Sequence, residues 1–325
     1  MSTPRLKLLA TGGTIATVRD PVTGQTRAAQ SGEELLAGLR TLPGEALPEP
    51  LDVDVQDLSL LASWRLTPHD MQRIALEARA AAVSGEYAGV VVTHGTQTLE
   101  YTAFLTDLFV DADTPVVFTG AMRPADVSDG DGPANLQHAL RVALAADSRG
   151  RGTLVAFAGK LLSARDAWKW NRSAPEAFVS MGGNPASQRV RRVFKGEIEP
   201  RVGMVKAYPG SGGEALMAIL ASGVRGMVIE GLPGQGGVPE GMHEAVAKAT
   251  ALVPVVLSSR APAGRLAADP TGGTGEPLRG LGMISAGGLT TEKAWLLLMV
   301  VLAEARTTAE VKVIFDAIAS PEEEI

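Results

Sequence analysis

The chain has 325 residues, 45% of them hydrophobic, no cysteine and a formal net charge of −6. That length suits two α/β domains, and the apolar share is ample for buried cores. The acidic balance and an aromatic content of 4% argue against a nucleic-acid partner, and the lack of cysteine removes disulfides, thiolate nucleophiles and cysteine metal sites together.

The chain opens with Leu6, Leu8, Leu9 and Ala10, which lead into a Gly-Gly turn. This apolar stretch is too short for the core of a signal peptide, and no run of about 20 apolar residues follows. The apolar run 294–303 is of helix length and reads as core. The expected compartment is therefore the cytoplasm, without membrane contact.

Segments 6–10, 53–58, 89–93, 115–119 and 153–157 are short, β-branched or apolar, and bounded by turn residues, which predicts strands. Helices with readable starts lie between them. Ser31 and Glu34 form a capping-box pattern, and Thr67-Pro68-His69-Asp70 offers an N-cap, a proline at the first helical position and an early carboxylate. Such alternation predicts a larger N-terminal domain, 1–190, with a mostly parallel sheet and helices on both faces.

After Val190 the texture changes. Arg191, Arg192, Lys195, Glu197, Glu199, Pro200 and Arg201 form a charged stretch that ends near Pro209-Gly210-Ser211-Gly212, so 191–212 reads as an interdomain linker. Alternation then resumes through 213–325: helix 213–223, strand 226–230, helix 239–251, strand 254–258, helix 290–305 and a last helix near 309–319. This predicts a smaller C-terminal α/β domain.

In open parallel sheets ligands collect at the carboxyl ends of strands, and the hydroxyl-rich turns of this chain follow strands. The first turn is Thr11-Gly12-Gly13-Thr14-Ile15-Ala16. A phosphate-binding glycine loop must open directly into a helix, whereas Asp20-Pro21-Val22-Thr23-Gly24 interrupts the chain within two turns, which argues against a dinucleotide site. The glycines instead permit close backbone approach to a small ligand beside Thr14, with an ordinary tight turn as the alternative. The second turn is Thr93-His94-Gly95-Thr96-Gln97-Thr98-Leu99-Glu100. Thr96 either faces the strand-end crevice or merely caps the helix that follows. A lone histidine such as His94 is more often structural than catalytic, and no second histidine stands at zinc-ligand spacing.

Taken together, Thr11-Gly12-Gly13-Thr14-Ile15-Ala16 and the run from Gly89 to Glu100 closely resemble the bacterial-type L-asparaginase and glutaminase-asparaginase family. Thr119-Gly120-Ala121-Met122-Arg123-Pro124, Asp131-Gly132-Pro133 with Asn135-Leu136, Arg165-Asp166-Ala167-Trp168-Lys169 and Ser259-Arg260-Ala261-Pro262 extend the resemblance over nearly the whole chain. It implies two-step acyl transfer on a small-molecule amide, with Thr14 as the nucleophile and Thr96 and Lys169 as a hydroxyl–amine proton relay. Gly13, Ser63, Trp64, Gly95 and Gln97 fall at substrate-binding positions, and backbone N–H groups of the two turns would form the oxyanion hole. It further implies no metal or cofactor, and a homodimer or homotetramer in which 213–325 completes the partner's active site.

The sequence departs from the family's pattern around the substrate. Gln97 stands where the family has an aspartate that holds the substrate's α-ammonium. Ser63 is followed by Trp64, whose indole only donates. The family's loop tyrosine is missing, with Arg27 near its place, and its Gly-Asn-Gly-Asn turn reads Gly234-Gln235-Gly236-Gly237. Asp269 and Glu276 are the candidates for the partner's ammonium-binding acid. Three readings follow: hydrolysis of L-asparagine with weakened or altered specificity, hydrolysis of a carboxamide acid lacking the α-amino group (with Arg27 and Arg65 suiting an anion), and a ligand-binding relative without turnover.

Overall fold

Strand–helix alternation produces two α/β units, Met1–Val193 and Phe194–Ile325, in a computed structural model that describes residues 3–19, 23, 26–28, 30–39, 47, 50–182, 192–266 and 280–319. In the first unit the elements are β1 (Arg5–Ala10), β2 (Thr17–Arg19), β3 (Thr26–Ala28), α1 (Gly32–Leu39), β4 (Asp52–Asp57), α2 (Pro68–Val83), β5 (Gly89–Thr93), α3 (Leu99–Phe109), β6 (Val116–Thr119), α4 (Gly132–Leu144), β7 (Thr153–Phe157), β8 (Lys160–Ser163), β9 (Ala167–Lys169) and β10 (Phe178–Ser180). The main sheet runs β4-β1-β5-β6-β7-β8, parallel except for β8.

Both faces of that sheet are covered. Leu6, Leu8, Val91, Val117, Leu154 and Ala156 share a core with Leu35 and Leu39 of α1 and with Leu136, Ala139 and Leu140 of α4. Alternate strand residues point the other way. There Leu9, Val90, Val92, Val116, Phe118, Val155 and Phe157 are equally buried, on the side of α2 and α3. The near-continuous apolar strands of the sequence are thus those of a sheet buried on two faces.

Both expected helix starts form. Ser31 N donates to Glu34 Oε2 at 2.7 Å while Glu34 N donates to Ser31 Oγ at 3.3 Å. Thr67 and Asp70 make the same reciprocal pair, with Pro68 at the first helical position. Each box satisfies N–H groups that the helix itself leaves without partners.

The second unit contains β11 (Val202–Lys206), α5 (Glu214–Ala221), β12 (Gly226–Gly231), α6 (His243–Thr250), β13 (Val255–Ser259), β14 (Ile284–Ser285), α7 (Thr291–Glu304) and α8 (Thr308–Ala319). Its four strands run in the order β11-β12-β13-β14, all parallel, over a core that includes Val205, Leu216, Met227, Ile229, Val246, Val255 and Leu257.

One expectation needs correcting here. The stretch 191–212, read as a linker, contains strand β11, which pairs with β12 in register Val202↔Gly226 to Lys206↔Glu230. The charges that gave it a linker's look sit mostly ahead of the strand, where Arg201 forks onto Glu199 through bonds of 2.9 and 2.8 Å. Within β11, Met204 and Lys206 are exposed, so its pattern is that of a half-solvated edge strand. The apolar run 294–303 lies in α7, where most side chains are buried, as expected of core. Among the described residues, no helix is long and apolar enough to cross a membrane.

Candidate active site

Strand order dictates where the site forms. β1 pairs with β4 on one side and with β5 on the other, so the sheet grows in both directions from β1. At such a reversal the connections leave β1 and β5 on opposite faces and open a crevice at their carboxyl ends. The turn 11–16 leaves β1 and the turn 93–98 leaves β5. The chain leaving β4 brings Ser63–Arg65, a single 3-10 turn, to the same place.

The two turns meet backbone to backbone. Thr11 N and Oγ1 both donate to Thr93 O, at 3.1 and 2.8 Å. Gly13 has φ +84° and ψ −173°, a conformation essentially restricted to glycine. A Cβ at Gly13 would overlap the Cα and N of Gly95, and one at Gly95 would overlap the side chain of Ser63. Gly13, Gly95 and Ser63 therefore form a stack in which no added carbon fits. Thr17 Oγ1 donates to Gly13 O at 2.8 Å and Thr98 Oγ1 to Ser63 O at 3.0 Å, which fix the turns from outside.

Around this stack lies a cavity of about 700 Å3, within the range of small-molecule sites. All eight residues singled out in the sequence line it: Gly13, Thr14, Ser63, Trp64, Gly95, Thr96, Gln97 and Lys169. Thr14 is half-buried, Ser63 and Thr96 are buried, and Trp64 and Gln97 are exposed. The side chain of Arg27, and Asp269 and Glu276 entirely, lie outside the described residues. The turn 234–237 is closed by Leu232 N donating to Gly237 O at 2.8 Å, in the second unit.

Lys169 reaches the cleft from β9, which pairs antiparallel with β10 so that Lys169 faces Phe178. Its Nζ donates to Thr96 Oγ1 at 2.7 Å and its backbone N–H donates to Glu100 Oε2 at 2.6 Å. The first turn of α3 thus anchors the backbone of Lys169 while the turn just before it supplies the hydroxyl. Partial burial lowers the Lys169 ammonium's pKa, and the nearby Glu100 carboxylate opposes that shift. The neutral amine is consequently more accessible than in a solvated lysine.

Residues of three other matched motifs are engaged within the first unit. Asp131 accepts the N–H groups of Met122, at 3.1 and 3.0 Å, and of Arg123, at 2.9 Å. Asn135 donates to Gly120 O at 3.0 Å and accepts Ala158 N at 2.9 Å. Arg165 and Asp166 are buried at 3.9 Å from each other, with Ser163 Oγ donating to Asp166 at 2.8 Å. Asp131 and Asn135 hold backbone in place, and none of Asp131, Asn135, Arg165 and Asp166 lines the cavity.

Sequence reasoning passed over several residues. Glu100 appeared only as the end of a motif, because nothing local says that it meets a backbone N–H 69 positions away. Arg172 lines the cleft three residues after Lys169, and Thr17, Met122 and Pro124 line it as well. The spacing Lys169-Trp170-Asn171-Arg172 was the available signal for the arginine.

On this geometry the chain is an α/β protein with a hydroxyl- and lysine-bearing pocket at the switch point of a parallel sheet, the layout of a small-molecule hydrolase. Family models for "Asparaginase, N-terminal" and "Glutaminase/Asparaginase C-terminal domain" match residues 5–199 and 201–315. The "Probable L-asparaginase" of Deinococcus radiodurans is 36% identical over 336 residues, covering 97% of this chain and 98% of that protein. The "Probable L-asparaginase periplasmic" of Haemophilus influenzae is 32% identical, with 96% and 93% covered. Among solved structures, a probable cytoplasmic L-asparaginase from Campylobacter jejuni superposes with a TM-score of 0.83 at 27% identity, covering 96% of this chain and 99% of that one. The chain belongs to the asparaginase family of amidohydrolases.

His94 has a consequence that can be measured. It is fully buried at the base of the second turn, with Nδ1 donating to Gly95 O at 2.9 Å and Nε2 without a hydrogen-bond partner. Burial pushes its pKa down from 6.5 to about 4, against the smaller opposing pull of the Gly95 carbonyl. The unfolded chain therefore binds this proton between those values while the folded chain does not, so folding stability falls as pH drops from 6.5 to about 4. Urea midpoints at pH 7 and pH 5 should fall more in the wild type than in His94→Gln; equal falls would contradict a neutral, buried imidazole.

Proposed function

We propose that the chain hydrolyses the side-chain amide of L-asparagine or a close ω-amide through a threonine-bound acyl-enzyme, releasing ammonia. The observation that carries this reading is the 2.7 Å bond between Lys169 Nζ and Thr96 Oγ1 in the cleft that Thr14 lines. A free hydroxyl is a weak nucleophile and needs a group to take its proton. A partly desolvated lysine beside a second hydroxyl can be that group once it is neutral.

In this scheme Thr14 Oγ attacks the amide carbonyl and its proton passes to the Thr96–Lys169 pair. Backbone N–H groups of the two glycine turns stabilise the oxyanion. The relay returns the proton to the leaving nitrogen, ammonia departs, and an ester to Thr14 remains. Water then attacks the ester, again deprotonated by the relay, and Thr14 recovers its proton as the acid leaves. Gly13, Ser63, Gly95, Trp64 and Gln97 bind the rest of the substrate, Ser63 through a hydroxyl suited to a carboxylate. Glu100 acts on Lys169 by holding its backbone and by tuning its charge.

A homodimer or homotetramer belongs to the same proposal, as does a cytoplasmic location. The name of the Campylobacter jejuni protein agrees with that location, whereas the Haemophilus influenzae relative is named periplasmic. Sizing and cell fractionation decide these two points; a stable, active monomer would contradict the first.

Thr14→Ala should lose ammonia release from every amide that the wild type hydrolyses while keeping the wild-type circular dichroism spectrum, since a half-buried turn threonine carries little core packing. Activity above a trace in Thr14→Ala would place the nucleophile elsewhere.

A further inference from the structure

The electrostatics of the cleft bear on its substrate in a way that the amide chemistry alone does not require. Among the described residues of this chain that line it, the ionisable ones are Arg65, Lys169 and Arg172, all basic, and none is Asp or Glu. Arg65 and Arg172 are both exposed, so their charges are available to a ligand. Trp64 follows Ser63 directly and is 65% exposed. Its indole offers one N–H and a flat apolar surface but no acceptor.

A free α-amino acid brings an ammonium that needs acceptors, ideally a carboxylate, and that is repelled by guanidinium groups. Gln97 offers only a neutral amide oxygen to it, from an exposed position. Thr17 Oγ1, which donates to Gly13 O at 2.8 Å, and the hydroxyls of Thr14, Ser63 and Thr96 add only uncharged acceptors. A carboxylate, by contrast, has two guanidiniums, an indole N–H and the Ser63 hydroxyl as donors among the residues lining the cleft.

We propose that the site selects anionic ω-carboxamides whose α-nitrogen is absent or acylated, with Arg65 and Arg172 drawing in the carboxylate and Trp64 covering the uncharged part. L-Asparagine is then a poorer substrate of the same machinery. This inference rests on the amidohydrolase reading above and concerns specificity alone. Hydrolysis adds water across the C–N bond, giving the ω-carboxylate and ammonia, and needs no further reactant.

The test is steady-state ammonia release by the full chain from L-asparagine, succinamate and N-acetyl-L-asparagine. At least one of the two ammonium-free amides should exceed asparagine in kcat/KM by about tenfold or more, the scale of one charge-assisted contact. Succinamate leading means that the nitrogen is to be absent, and N-acetylasparagine leading means that it is to be masked. The double variant Arg65→Gln/Arg172→Gln changes two exposed side chains, so folding is not at risk. It should raise KM for the preferred amide by about tenfold with kcat little changed, and narrow the margin over asparagine. Asparagine outperforming both other amides, or an unaltered margin in the double variant, would overturn the inference while leaving the amidohydrolase reading intact. Release of ammonia from none of the three would overturn that reading itself.

Discussion

The close apposition of Gly13 and Gly95 is the constraint on which the rest of the site depends. Two strands of a parallel sheet are about 4.8 Å apart, and turns leaving them would normally diverge with their helices to opposite faces. Here a glycine in each turn removes the carbons that would hold the backbones apart, and Ser63 closes against the second glycine. Thr14 and Thr96 each follow one of these glycines by one residue. Their shared cleft is therefore a consequence of main-chain packing, fixed before any side chain chooses a rotamer.

Lysine placement depends on that arrangement in turn. Lys169 comes from a three-residue strand remote in sequence, and a short hairpin alone positions a side chain poorly. Glu100 compensates by accepting the Lys169 N–H from the first turn of α3, an element whose side chains are buried almost throughout. The same carboxylate limits how far burial can neutralise the amine. One buried acid thus bears both on where the lysine is and on how readily it loses its proton, with burial favouring the neutral amine and the carboxylate opposing it, a balance that suits the proton relay proposed above.

Much of this was legible in the sequence where the signal is local. The apolar strands ending at Ala10 and Thr93, the capping boxes at Ser31 and Thr67, and the hydroxyl-rich turns after strands all depend on neighbours a few residues apart. The buried sheet with helices on both faces follows from β5, β6 and β7, which are apolar on both faces. What escaped depends on contacts distant in sequence or on very short elements. The hairpins of Thr17–Arg19 with Thr26–Ala28 and of Ala167–Lys169 with Phe178–Ser180 have three-residue arms, too short to show a period of two. Strand β11 was hidden behind the Glu199–Arg201 charges and its own exposed Met204. The structural role of Glu100 and the place of Arg172 in the cleft are invisible until the fold brings them together.

If backbone apposition assembles the site, the most direct measurement is the activity of Gly13→Ala alongside its circular dichroism spectrum. An added Cβ there must push the turn away from Gly95 and at the same time strain a backbone at φ +84°. A displacement on the order of 1 Å at reacting groups lowers rates by about a hundredfold. Gly13→Ala should therefore retain the α/β spectrum of the wild type while amide hydrolysis falls by about two orders of magnitude or more. Wild-type rates in a folded Gly13→Ala protein would contradict the account, because the two turns would then not need to touch.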